Sequence, residues 1–439
     1  MQETSQGPEL LCPAGSLKAM RYAFAYGADA VYAGLPRYSL RVRNNEFDLA
    51  SLKAGIDEAR ELGKKFYVVL NIAPHNSKLS TFLEDARDVV AMSPDALIVS
   101  DPGVIWLLRN HFSQIPLHLS VQANTLNWAA VKFWQQQGIS RVILSRELSV
   151  QEIGEIRKEV PGMELEVFVH GALCMAYSGR CLLSGYMDKR DPNQGACTNA
   201  CRWQYDIQPA EELANGDLVA AAVRIQPAKP VLLTERQRPD APMPMDEDEH
   251  GTYILNSKDL RAVQHVPSLV AMGVHSLKIE GRTKSFYYAA RTAQVYRQAI
   301  DDALSGKAFD QQLMYELEGL ASRGYTEGFL RRHIPVSELQ NYQQGASLST
   351  QQQFVGEVLG QEPSSGLYLV EVKNRFSLGD RLMLMTPAGN QTFTLSKLCD
   401  QQGRDAAIAP GAGYRMLLAL PGDSVADYAL LVRNLEITP

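Results

Sequence analysis

Through the first two-thirds of the chain, short apolar runs rich in β-branched residues alternate with segments whose apolar positions recur every three to four residues. Such alternation is the pattern of parallel strands joined by crossover helices. Strands are predicted from Glu9 to Cys12, Ala30 to Ala33, Phe66 to Leu70, Ala96 to Val99, Leu117 to Val121, Arg141 to Leu144, Leu165 to Val169 and Ser276 to Ile279. Eight strands close a (β/α)8 barrel, so the predicted class is α/β with a TIM-like barrel.

Helix ends are legible between the strands. Ser16 precedes an apolar stretch that stops at Gly27, and Leu49, Leu52, Ile56 and Ala59 form a stripe that ends before Gly63. Ser149 with Glu152 makes a capping box. Asn127 and Gly138 bracket a helix whose Trp128, Val131 and Trp134 are expected to pack on the sheet. One interval breaks the rhythm, because about a hundred residues separate the seventh strand from the eighth. The excess, about residues 171–255, is read as an insertion that includes a polar, Pro-containing stretch from Tyr205 to His250. A helix is expected to resume from Ser257 to Met272, followed by helices from Ser285 to Leu304 and Asp310 to Ala321.

The Gln-, Gly- and Ser-rich stretch from Gln340 to Gln353 marks a boundary. Beyond it, Phe354 to Leu359, Leu367 to Val372, Arg381 to Met385, Thr392 to Leu398 and Tyr414 to Leu420 read as strands between turns, giving a small C-terminal antiparallel β-barrel. Domains are therefore expected at 1–345 and 346–439.

With 439 residues, 45% of them hydrophobic, the chain can bury more than one core. No eighteen apolar residues run together and no basic stretch followed by an apolar run opens the sequence, so no membrane association and a cytoplasmic location are expected. The net charge of -6 gives no global attraction to phosphate, so any nucleic-acid contact has to be local. Some of the acidity lies in Asp246-Glu247-Asp248-Glu249, which reads as a solvated loop.

Thiols stay reduced in such a compartment, so six cysteines, four of them within 28 residues, are more naturally ligands or catalytic groups than disulfides. The four are Cys174, Cys181, Cys197 and Cys201, separated by six, fifteen and three residues in a Gly- and Ser-containing segment of the insertion. Loops that follow barrel strands gather at the C-terminal face, where barrel enzymes hold their active sites. Converging thiolates suit a soft cation or an iron-sulfur cluster. The spacing is neither the paired short Cys-x2-Cys of a zinc ribbon nor the usual ferredoxin run, and it names neither metal. Cys12 and Cys399 stand alone and read as small buried apolar residues.

Nearly every predicted strand ends in a polar group: Asn71, Asp101, Gln122, Asn124, Arg146, Glu147, His170, Glu280 and Arg282. Singly each is most simply a structural hydrogen bond; together they describe a polar pocket. His170 suits acid or base work near neutral pH. Arg146 and Arg282 suit carboxylates held bidentately, and Glu280 completes the candidate catalytic set. Arg37, Arg41 and Arg43, interleaved with Tyr38, suit phosphate contact and base stacking, with Asn124 as a further substrate-binding candidate. Lys284, Arg331 and Arg332 extend the basic face. There is no His-Glu-x-x-His helix and no nucleophile elbow to support a peptidase.

The run Glu166-Val-Phe-Val-His170-Gly-Ala-Leu-Cys174, then Ser178-Gly-Arg-Cys181, Asn193-Gln-Gly195 and Cys197-x3-Cys201-Arg202, resembles the signature of the collagenase-like peptidase family, peptidase family U-32. Leu11-Cys-Pro-Ala-Gly15, Asn256-Ser-Lys-Asp-Leu260 and Lys278-Ile-Glu-Gly-Arg282 agree with it, so the resemblance covers nearly the whole chain. Several members of that family are hydroxylation proteins acting on tRNA, ribosomal RNA or ubiquinone precursors, with a 4Fe-4S cluster held by cysteines. The resemblance implies Cys174, Cys181 and Cys197 as cluster ligands and Cys201 as the natural fourth, while Arg261 stands where some relatives carry a cysteine. The full-length pattern is most similar to members that hydroxylate the wobble uridine of tRNA to 5-hydroxyuridine, with prephenate as co-substrate or effector. The implied partners are tRNA, prephenate and the iron-sulfur assembly machinery, and an Arg146 and Arg282 pair would suit prephenate's two carboxylates. The alternatives are a collagenase-like peptidase and a zinc-containing, non-catalytic RNA-binding factor.

Overall fold

The computed structural model describes residues 7–40, 45–174, 176–202, 257–331, 352–422, 425 and 427–435, together with the backbone of five short strands between 210 and 253. Arg41, Arg43 and Arg332 lie outside the described residues, as does nearly all of the 340–353 boundary stretch.

All eight expected barrel strands form. In order they are β1 (Glu9–Pro13), β2 (Ala30–Ala33), β3 (Lys65–Leu70), β4 (Ala96–Val99), β5 (Leu117–Leu119), β6 (Arg141–Ile143), β7 (Glu164–Ala172) and a closing strand, Ser276–Ile279. The closing strand pairs in parallel with both β1 and β7, so the sheet shuts on itself. Helices α1 (Leu17–Ala25), α2 (Leu49–Glu61), α3 (Asn76–Ala91), α4 (Pro102–His111), α5 (Trp128–Gln136) and α6 (Val150–Glu159) separate the first seven strands. Side chains of Ser16, Asp48, Asp101, Asn127 and Ser149 accept backbone N–H groups at their N-termini. Among the described residues no helix is long and apolar enough to cross a membrane.

Three local expectations change. On α5 Val131 is buried and Trp134 packs on the core, but Trp128 is exposed, so two of the three residues of that stripe face the core. The expected Ser257 to Met272 helix is a strand, Asp259–Arg261, then one 3-10 turn, then α7 (Val266–Ala271). The strand forms because β7 runs on past the barrel and offers its last residues, His170 to Ala172, as an antiparallel edge. The acidic run is mostly strand as well, since Met243–Asp248 pairs with Gly251–Tyr253.

The barrel interior is not all apolar. Glu166, fully buried on β7, accepts from Lys278 Nζ at 2.7 Å and Arg141 Nη1 at 3.3 Å. Arg141 reaches on to Glu9 at 2.6 Å and Glu164 at 2.8 Å. Two carboxylates and two cations thus alternate through the barrel, and burying them is tolerable only because each faces an opposite charge.

After α8 (Phe286–Leu304) and α9 (Gln312–Glu318) comes an antiparallel half-barrel sheet. Leu430–Asn434 was not foreseen as a strand, yet it lies inside this sheet between Arg381–Thr386 and Gln352–Gln361. Leu430 and Val432 belong to the barrel's core and Leu431 to the sheet's own core, so both faces are covered and no polar alternation marks it. The sheet docks on α1: Tyr26 donates to the carbonyls of Met385 and Tyr428, and Lys18 and Tyr22 reach the buried Glu357 at 2.5 and 3.0 Å.

Burial alone would raise the Glu9 carboxyl, but the charge and hydrogen bond of Arg141, with Tyr67 and Lys65, outweigh it and hold Glu9 below the usual carboxylate range. Its stabilising contribution is therefore present above the unfolded carboxylate value and is lost as pH falls through the depressed folded one. Arg141→Ala is expected to cost about 3–5 kcal/mol in thermal or denaturant unfolding and to weaken the acid-induced loss of stability. A variant as stable as the parent would contradict the interior ladder.

Candidate active site

A cavity of about 470 Å³ opens at the C-terminal mouth of the barrel. Phe168 and Lys278, opposite each other on the paired β7 and closing strands, and Tyr32 on β2 form part of its lining. Lys278 lies between two rings, 4.3 Å from the Tyr32 centroid and 5.5 Å from that of Phe168. Burial pulls its ammonium below the usual value, while Glu166 opposes the shift. Tyr32 donates to the carbonyl of Ile279 at 2.9 Å and to Glu280 Oε2 at 3.2 Å. Burial, with the Glu280 charge behind it, pushes this phenol well above its usual range, so it stays a donor.

Two arginines complete the wall. Arg146 lies 3.9 Å from the Phe168 ring centroid and has no carboxylate partner among the described residues. Arg282, nearly buried, donates to Ser39 and lies 5.6 Å from the Tyr32 ring. Both guanidinium charges pull the Tyr32 phenol down against its burial. The strand ends carrying these groups approach closely. Gly171, at φ +109°, has the Glu280 carbonyl where a Cβ would sit, at 2.4 Å. Only glycine tolerates both that conformation and that contact.

Over this wall lie the four thiols. Cys174, Cys181, Cys197 and Cys201 all line the same cavity, carried there by the segment after β7. Cys197 Sγ accepts the N–H of Asn199 at 3.4 Å and lies 3.8 Å from Ser184 Oγ, while Asn193 Nδ2 donates to the Cys181 carbonyl at 3.0 Å. Among the described residues no three His, Cys, Asp or Glu side chains converge on one ion-sized point. Four thiols on one cavity, one of them bonded by a backbone N–H, are donor chemistry that suits a soft cation or an iron-sulfur cluster.

The other candidates are dispersed. His170 is buried outside this cavity, its Nδ1 3.4 Å from Tyr296 Oη and its ring among Tyr288, Tyr296 and Tyr325. Asn124 is not a lining residue either; its amide donates to the carbonyls of Gln122 and Ser178. Arg37 is engaged by Asp85 at 3.0 Å and Thr81 at 2.7 Å. Asp101 caps α4 and Glu147 accepts from Ser145; Asn71 and Gln122, by contrast, do line the cysteine cavity, with Asn71 donating to Ser120 and Gln122. Arg261 pairs with Glu318 at 2.8 Å under Tyr325 and does not line the cysteine cavity. Cys12 and Cys399 are buried.

Sequence reading passed over Tyr32, Glu166, Phe168 and Lys278 as functional groups. The signal was there for two of them, since a charged residue in the middle of an otherwise apolar buried strand requires an opposite charge facing it.

The profile of peptidase family U32 matches residues 15–339, and that of its C-terminal domain matches residues 350–433. The chain belongs to peptidase family U32. It is 63% identical over 440 residues to the Escherichia coli (strain K12) protein named tRNA hydroxylation protein P, covering 97% of each chain. The Haemophilus influenzae (strain ATCC 51907 / DSM 11121 / KW20 / Rd) protein of the same name is 62% identical, covering 98% of this chain and 97% of that one. A third U32 relative, the Escherichia coli 23S rRNA 5-hydroxycytidine C2501 synthase, is 31% identical over 69% of this chain and 40% of its own length.

Burial draws the His170 imidazole from 6.5 to about 3, so it is neutral in the folded protein. A depressed folded value stabilises fully above about pH 6.5 and loses that contribution as pH falls toward the folded value. Replacing it, His170→Asn, is expected to remove part of the stability loss between about pH 7 and pH 5, up to about 2 kcal/mol, in unfolding measured at each pH. An unchanged loss would contradict a neutral buried ring.

Proposed function

We propose that the chain is a tRNA-hydroxylating enzyme that converts the wobble uridine to 5-hydroxyuridine. In this reading Cys174, Cys181, Cys197 and Cys201 hold a 4Fe-4S cluster and prephenate is co-substrate or effector. One observation carries it: four thiols share a single cavity with Arg146, Lys278 and Arg282, in a chain whose relatives at 62 and 63% identity are named as tRNA hydroxylation proteins.

The cluster, when bound, supplies one-electron chemistry at the cavity roof. The chain's own groups do the rest. Arg146, having no carboxylate partner, offers a guanidinium to an organic acid. Arg282 lies beside the same Tyr32 phenol and provides a second cationic contact. Glu280, bonded to Tyr32, holds or accepts a proton next to whatever occupies the floor. The volume fits a small ligand, and a uridine reaches it only by leaving the anticodon stack.

Anaerobically prepared protein is expected to contain iron and sulfide and to absorb in the visible, and Cys197→Ala to lose that absorption. Nucleosides from tRNA of cells lacking the gene should lack 5-hydroxyuridine, restored by the parent and not by Cys197→Ala. Stoichiometric zinc without iron, or unchanged nucleosides, would overturn the reading.

A further inference from the structure

The first cysteine turn does not hang free over the cavity; it rests on the rim after β5. There Val121–Ala123 forms one 3-10 turn, and Asn124 follows in the left-handed conformation at φ 52°, ψ 52°. That conformation is unusual for a residue other than glycine, and here it aims the amide at the cysteine segment. Asn124 Nδ2 donates to the Gln122 carbonyl at 2.8 Å, within its own turn, and to the Ser178 carbonyl at 2.9 Å. Ser178 sits between Cys174 and Cys181, in a turn where the Arg180 N–H returns to the Tyr177 carbonyl at 3.0 Å. Gly179, at φ +72°, lies directly on Gln122, where a Cβ would come within 2.8 Å of the Gln122 Cβ. Gln122 is itself fixed, because its Oε1 accepts from Asn71 at 3.0 Å and from Ser120.

A second tie holds the other side of the same turn. Asn193 Nδ2 donates to the Cys181 carbonyl at 3.0 Å, and the Asn193 carbonyl accepts from the Ala73 N–H, just past β3, at 3.0 Å. The turn joining Cys174 to Cys181 is thus held to the barrel rim at the ends of two strands.

We propose that Asn124 is a positioning residue for the cysteine turn: its amide, together with the seat of Gly179 on Gln122, presets Cys174 and Cys181 for the cluster. The role rests on the cluster reading above, but the mechanical clamp does not. Preorganised ligands bind without losing loop freedom at the moment of binding, so loosening the turn should weaken cluster retention without removing any ligand.

The test uses the full-length chain as parent, Asn124→Gly and Asn127→Ala. Glycine keeps the left-handed backbone and removes only the amide. Asn127→Ala removes the α5 N-cap, three residues away on the same connection, without touching the cysteine turn. Native alkylation of the cluster-free chain, read by peptide mass, is expected to be about threefold to tenfold faster at Cys174 and Cys181 in Asn124→Gly, and unchanged in Asn127→Ala. After anaerobic reconstitution, Asn124→Gly should also release iron to a chelator faster than the parent, with Asn127→Ala like the parent. Parental alkylation rates in Asn124→Gly, or the same acceleration in Asn127→Ala, would overturn the clamp. If the parent binds no iron, the cluster reading fails, while the alkylation rates still decide whether Asn124 holds the turn.

Discussion

The Glu166 carboxylate, fully buried on β7, is where the barrel and its mouth are joined. Below, it faces Arg141, which reaches Glu9 at the start of β1; above, it faces Lys278, whose ammonium lies against the cavity rings. Counted together, Glu9, Arg141, Glu166 and Lys278 are neutral. That balance lets a charged amine stand in a nearly dry interior. With Lys278 already matched by Glu166, the remaining charged side chains lining the cavity are Arg146, Arg180, Arg282 and Glu280. Three cations against one anion leave the cavity favouring an anionic guest, although the chain as a whole is acidic.

The mouth is built on close approach rather than on bulk. Gly171 lets β7 run against the Glu280 carbonyl, and the extension of β7 that follows carries the chain directly into Cys174. Asn124 and Asn193 then tie the cysteine turn back to two different strands. The thiols are therefore presented by a segment whose backbone polar groups are partly satisfied by the barrel rim.

Much of this was legible in sequence. The eight strands stood out because each is a short, mostly apolar run between helical patterns, and the four cysteines stood out by density. What escaped notice were features that depend on contact between distant segments. The Asp259–Arg261 strand exists only because β7 offers an edge, and Leu430–Asn434 lacks alternation because both faces are covered. His170 was read as an acid-base candidate from its type and its place at a strand end, but burial among three tyrosines keeps it neutral and outside the cysteine cavity. Asn124 was read as substrate-facing, and its amide turns instead to the Ser178 carbonyl.

If the base to be modified enters the cavity shared by the thiols and the cationic wall, a structure of the anaerobic protein bound to an anticodon stem-loop will show the wobble uridine turned out of the loop, with its C5 edge between the cysteine turn and the Tyr32, Lys278 and Glu280 floor. A stem-loop seated on the C-terminal sheet with its anticodon still stacked would contradict it.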